Sequence, residues 1–267
     1  MAERDVRSMQ QDAVDTIRTV RTGVVNLILE RGRERVGSGT GFLIPDHVVT
    51  ASHVLREGTF DVAMLRFDDS DEEDVVRLSA KDLMAAVRHE SPKSQCDYAL
   101  LAIDEPEFRG RHRFTLAATP KPSVGQQVLL LGYPFASPNL ASHVAYVSAL
   151  YRSGDADVFQ LDGSINPSNS GGPVIDPESS EVLAYVVRAQ TGLMQDFDVL
   201  IENLTANVEV LSQPRTSMSI GGVDPVRALR ATMAAMRQLA LNMKRSANVG
   251  IGYAHSARHI TDALRSY

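Results

Sequence analysis

Residues 164–173 read SINPSNSGGP. Ser, Asn, Gly and Pro are turn formers, so a surface loop would account for the composition. The order says more. Ser170 is followed directly by Gly171, Gly172 and Pro173, which suits a nucleophile held on a tight turn with backbone N–H groups facing its target. Such a nucleophile needs a base, and the base an orienting acid. In GSGTGFLIPDHVVTASHVL, residues 37–55, two apolar strands end on His53; in CDYALLAI, residues 96–103, Asp97 heads a strongly apolar strand. Alone, His53 would read as a satisfied core histidine. Beside Asp97, whose charge would be costly to bury unpaired, it fits an imidazole–carboxylate pair. The carboxylate then fixes which ring nitrogen faces the serine.

Other chemistry-bearing residues signal less. GSGTG at 37–41 imitates a dinucleotide fingerprint but leads into FLIPDHVV rather than a helix, so a strand bulge or hairpin is expected. His255 and His259, four apart on an expected C-terminal helix, could share a metal, but with no third ligand in sight they read as solvated positions. No metal or other cofactor is expected. The single cysteine, Cys96, allows no internal disulfide, fits a reducing compartment, and reads as a small packed hydrophobe at a strand start.

These residues need a frame. A chain of 267 residues, 43% hydrophobic, can bury a sizeable core, which excludes disorder as its main state. Net charge −6 argues against nucleic acid as a partner. No run of eighteen apolar residues occurs, and the charged N-terminus MAERDVRSMQQD lacks a secretory apolar stretch, so no membrane partner and a cytoplasmic setting are expected. Short apolar runs from VVNLILE to VLAYVVRA fill residues 23–190 without regular intervening helices, which predicts an all-β core. Residues 105–122, rich in charge and proline, divide these strands into two sets.

Two segments read as helices. Val6, Met9, Ala13, Ile17 and Val20 give an N-terminal helix one apolar face. Asp224 and Pro225 form an N-cap and first-turn proline, followed by Val226, Leu229, Met233, Met236, Ala240 and Met243 in 3-4-3-4-3 spacing. That seam packs either on the chain's own barrel or, being rich in adaptable Met, on a partner or a second copy.

The order of His53 in TASHV, Asp97 in DYALL and Ser170 in NSGGP resembles the chymotrypsin-fold serine proteases, and the HtrA (Deg) branch in particular. Similar stretches are LLLGYPFASPNLASHVAYVSALYR (129–152), FQLDGSINPSNSGGPVID (159–176) and NVGIGYAHSARHITDAL (248–264). The resemblance implies two orthogonal six-stranded β-barrels with the active site in their cleft: an N-terminal helix over 1–19, a first barrel over 20–112, and a second over 113–267 with a helical insertion at about 191–247 and a C-terminal helix. It implies Ser170 as nucleophile, His53 as general base and then acid, and Asp97 as orienting carboxylate. The oxyanion would lie at the turn Ser168, Asn169, Ser170, with the N–H groups of Ser168 and Ser170 donating and Asn169 shaping the bend. Ser164, six residues before the nucleophile, would line the base of the specificity pocket and favour a small or medium uncharged side chain before the cut.

Three departures from the pattern carry expectations. Ser168 stands where the family has glycine, so a positive φ there would be strained and the oxyanion site could depend on substrate or effector binding. No PDZ-like domain follows the protease core, so substrate capture by one is not expected. The insertion replaces a short specificity loop and could gate the enzyme, through a protein regulator or self-association at helix 225–245. The reading is a serine endopeptidase acting on protein or peptide substrates. A catalytically quiet peptide-binding module, or an esterase, stands beside it.

Overall fold

The computed structural model describes residues 6–56, 58–69, 75–189, 194–213, 221–222, 224–246 and 250–266. Two compact units are present: residues 1–189 with 250–267, and the intervening residues 190–249.

The first unit is built on two antiparallel sheets. Strands β1 (Val24–Arg31), β2 (Glu34–Ile44), β3 (His47–Thr50), β4 (Val62–Arg66), β5 (Val76–Ser79), β6 (Val87–Ser91) and β7 (Tyr98–Leu101) form a sheet in the order β5-β4-β1-β2-β3-β7-β6. Strands β8 (Gln127–Gly132), β9 (Ala141–Ser153), β10 (Ala156–Asp162), β11 (Pro173–Ile175), β12 (Val182–Ala189) and β13 (Ile251–Ser256) close into a barrel in the order β10-β13-β12-β11-β8-β9. The expected all-β architecture is present, and the second barrel has its six strands. In place of a first six-stranded barrel stands a seven-stranded sheet whose end strands, β5 and β6, are not hydrogen-bonded to each other.

The period of two along a strand explains the apolar runs. In β8, Val128 and Leu130 face the barrel interior with Phe159, Leu161 and Val186, while Leu129 and Leu131 join a core shared with Phe42, Val49 and Leu100 of the first sheet. Both faces are buried, so QVLLLG shows no polar alternation. Val25, Leu27 and Leu29 of β1 pack with Leu43, Leu65 and Leu101 in a separate core. Phe108 and Phe114, from the charged, proline-rich segment 105–122 that divides the two strand sets, are fully buried in edge-on contacts with Phe67 and Phe42.

Among the described residues this unit has four α-helices: α1 (Val6–Val20), α2 (Ser52–Arg56), α3 (Ala80–Ala86) and α6 (Arg258–Arg265) after β13. Ala13, Ile17 and Val20 of α1 reach the shared core as their spacing predicted. The second unit holds α4 (Met194–Leu211) and α5 (Pro225–Ser246), which pack on each other, with Phe197, Leu204 and Ala240 buried and Arg237 Nε donating to Thr205 Oγ1 at 2.8 Å. Asp224 caps α5 as expected, Oδ1 accepting from the N–H groups of Val226 and Arg227 at 3.0 and 3.1 Å. The expected insertion limits, 191 and 247, lie outside the described residues. Among the described residues no helix is long and apolar enough to cross a membrane.

Candidate active site

His53 sits in α2, a five-residue helix that cannot hold its own position. Packing and one ion pair hold it. Val54 lies so close to Gly39 of β2 that a Cβ there would fall 2.5 Å from the valine methyl, which explains the glycine at 39; GSGTG lies within β2, beside the register irregularity that opposes Leu29 to Gly37 and Glu30 to Arg35. Glu90 of β6 grips both ends of α2, accepting from Ser52 Oγ at 2.7 Å and from Arg56 Nε at 2.9 Å, with a second contact from the Arg56 guanidinium. That hydrogen-bonded guanidinium holds the Glu90 carboxyl below the usual carboxylate range, against the opposing effect of burial.

Asp97 meets His53 twice. Oδ2 lies 2.7 Å from Nδ1, and Oδ1 accepts the His53 backbone N–H at 3.0 Å. With the carboxylate 3% exposed, the pair answers its buried charge and fixes Nδ1 as the protonated nitrogen, leaving Nε2 to act on a substrate. Asp97 itself stands at φ 54°, a left-handed conformation that a residue with a Cβ adopts at a cost. Its preceding carbonyl, that of Cys96, is clamped by Tyr185 Oη at 2.6 Å and by His255 Nδ1 at 2.8 Å. Burial pushes the Cys96 thiol up, in keeping with a packed rather than a reactive cysteine.

Ser170 lies on the turn before β11. Gly171, at φ 87°, carries the bend, and a Cβ on it would meet the Thr40 carbonyl at 2.2 Å. The Ser170 hydroxyl donates to the Val187 carbonyl at 3.5 Å and, among the described residues, forms no hydrogen bond with His53. Gly171, next to Ser170, packs against the backbone of Ala51, two residues before His53, and the serine hydroxyl is turned toward β12. Such bonds are commonly unformed before substrate arrives.

Of the three N–H groups at the turn 168–170, that of Asn169 is committed to the Asn166 carbonyl at 3.1 Å. Asn169 therefore shapes the bend, its side chain buried against Gly132. The N–H groups of Ser168 and Ser170 have no acceptor among the described residues. Ser168 has φ 74°, the left-handed conformation anticipated there. Its side chain answers part of the cost: Oγ pairs with Ser38 Oγ at 2.6 Å, while its carbonyl accepts from Thr40 Oγ1 at 2.7 Å.

Thr40 is the residue that reasoning from sequence missed. Fully buried in β2, it also donates its N–H to the Ser170 carbonyl at 2.8 Å and accepts at Oγ1 from the Tyr133 N–H at 3.0 Å. The threonine inside GSGTG was its only trace. Ser164 is exposed, whereas its neighbour Ile165 is buried with its side chain packed on Gly252 of β13. His255 proves to lie on β13, not on the helix, and His259 Nε2 accepts from the Asp157 N–H at 3.0 Å. Both are half-buried rather than fully solvated positions. Burial lowers His259, favouring the neutral ring that this bond requires.

A seven-stranded sheet and a closed six-stranded barrel, with a paired histidine and aspartate on the one and a serine on a glycine-bearing turn on the other, define a protein of the chymotrypsin-like class. The sequence model of the trypsin-like peptidase domain matches residues 39–184, and the chain belongs to that family. It is 27% identical to protease Do-like 2, chloroplastic, of Arabidopsis thaliana over 157 residues, 56% of this chain and 23% of that protein. Over 162 residues it is 32% identical to a probable periplasmic serine endoprotease DegP-like of Pseudomonas putida, covering 57% of this chain and 30% of that one. The match thus spans less than a third of these relatives' length. By fold it is similar to the HtrA-type protease AlgW with tripeptide (TM-score 0.58, 16% identity, 95% of this chain and 62% of that chain). It is also similar to the active form of the Rv3671c protease from M. tuberculosis (TM-score 0.53, 24% identity, 71% and 78%).

Proposed function

We propose that the chain is a serine endopeptidase. The observation that carries this reading is the double grip of Asp97 on His53, which leaves Nε2 as the base beside Ser170. The Ser170 hydroxyl turns from Val187 to His53, loses its proton to Nε2 and attacks the scissile carbonyl carbon. Negative charge on the carbonyl oxygen is met by the N–H groups of Ser168 and Ser170. Collapse breaks the C–N bond, and His53 returns the proton to the leaving amine. Water, activated by the same imidazole, then releases the acid from Ser170.

Three finer features belong to this reading. Substrates with a small or medium uncharged residue before the cut are preferred, because no acidic side chain is expected to meet a buried cation near Ser164 and Ile165. The insertion gates turnover: β12, which supplies the Val187 carbonyl holding Ser170 at rest, leads into it, and β13, which supplies His255 against Cys96, leads out. The lone buried cysteine suits a cytoplasmic setting, which cell fractionation can test.

One experiment addresses the enzyme: a peptide-library digest read by mass spectrometry, run on the wild type, Ser170→Ala and Met233→Lys. Ser170→Ala should lose turnover by about a million-fold while keeping its fold. Cuts should follow Val, Ala or Leu rather than Lys or Arg. Met233→Lys, on the half-buried side of α5, should change turnover without moving the melting temperature of the β unit. Retained cutting by Ser170→Ala sinks the assignment, and labelling of Ser170 by a fluorophosphonate without any peptide cleavage would favour an esterase.

A further inference from the structure

The helices of the 190–249 unit each carry charge of one sign. α4 holds Asp196, Asp198, Glu202 and Glu209 and no Lys or Arg; α5 holds Arg227, Arg230, Arg237, Lys244 and Arg245 and no Asp or Glu. The seam read from the sequence is divided by the structure. Val226, Met233 and Ala240 lie on the more buried side, while Leu229, Met236 and Met243 are exposed. The exposed three join Thr232 and Leu239 in a second row, 229-232-236-239-243, with the 3-4-3-4 spacing of a helix–helix seam. Its four apolar members are between 46% and 58% exposed. Val199 and Val210 of α4, at 58% and 64%, are similarly bare. Single exposed apolar residues are ordinary; a register-true row over the length of a helix marks a contact surface.

We propose that this row is seated against a second copy of the chain, two α4–α5 pairs assembling into a four-helix bundle with α5 of one copy along α4 of the other. Charge selects the pairing. Setting α5 against α5 would oppose two basic helices, whereas α5 against α4 sets arginines beside carboxylates. Because one copy carries both surfaces, the patch is self-complementary, as a two-fold interface requires. This assembly does not depend on the hydrolytic reading above.

The test is the mass of the full chain at micromolar concentration by sedimentation equilibrium. The wild type should sediment as two chains. Met236→Lys with Leu239→Lys should raise the dissociation constant at least about tenfold, since two ammonium groups would enter an apolar seam. Helix content of the variant chain should not fall, because these side chains are exposed in the single chain, while its melting temperature should lose the concentration dependence that pairing gives the wild type. Arg227→Glu with Arg230→Glu should weaken the pair as well, and added salt should weaken the wild type. A single-chain mass for the wild type overturns the proposal. So does a dimer that survives the lysine substitutions, or one that tightens when the arginines become glutamates.

Discussion

Replacing Ser38 by alanine should slow turnover about fivefold, and the size of that effect can be worked from the turn it supports. Ser168 stands at φ 74°, a conformation costing a residue with a Cβ about 1–3 kcal/mol. Its Oγ pairs with Ser38 Oγ at 2.6 Å, and a neutral, partly exposed hydrogen bond of this kind contributes about 1 kcal/mol net. Without it the turn shifts away from the conformer that aims the Ser168 N–H, by a factor of about five. Outright loss of an oxyanion donor would instead cost about 100- to 1,000-fold. The assay is kcat on one peptide for Ser38→Ala, Ser168→Gly and the double variant. Glycine at 168 removes the strain and the need for a latch, so Ser168→Gly should match or exceed the wild type, and adding Ser38→Ala to it should change nothing further. An unaffected Ser38→Ala, or a double variant as slow as Ser38→Ala, would refute the reasoning.

Tyr185→Phe removes one of two donors to the Cys96 carbonyl and should cost about 1 kcal/mol of stability while lowering kcat more than it raises KM, because Asp97 loses its backbone support; thermal melts and steady-state kinetics read both. Glu90 is held below the ordinary carboxylate range by Arg56, so its grip on α2 is complete above that range and is lost as pH falls through its lowered value in the fold. Glu90→Gln should therefore reduce the acid sensitivity of melting, by under about 1 kcal/mol because the Arg56 side is solvent-exposed.

Much of this molecule could be read from residue order. Strands with both faces buried, such as β8, announce themselves as apolar runs, and Asp224-Pro225 announces α5. The stretch holding β5, α3 and β6 escaped notice because its residues are half polar on marginal surfaces. One signal was there: Ser79 caps α3, accepting from the Asp82 N–H at 3.1 Å, and Ser-x-x-Asp is visible in the sequence. The site divides similarly. His53, Asp97 and Ser170 sit in distinctive contexts, whereas Thr40, Glu90, Tyr185 and His255 act through contacts between segments 34 to 159 residues apart, which no local pattern encodes. The seam of α5 was found, but which half faces inward depends on α4.

The pairing of β12 with β13 bears on how the barrel is reached in time. Ala189 faces Gly252 across adjacent strands, so the barrel cannot close until two points about sixty residues apart in the chain meet. For a flexible segment of that length the closure entropy is about 3–4 kcal/mol, against roughly 1 kcal/mol for a tight turn. Helices form in about a microsecond, far faster than non-local sheets assemble. A pre-formed α4–α5 pair replaces most of the slack with a rigid body and shortens the effective tether. The insertion thus sets the tether across which β13, the strand that carries His255 to the carbonyl beside Asp97, must reach β12.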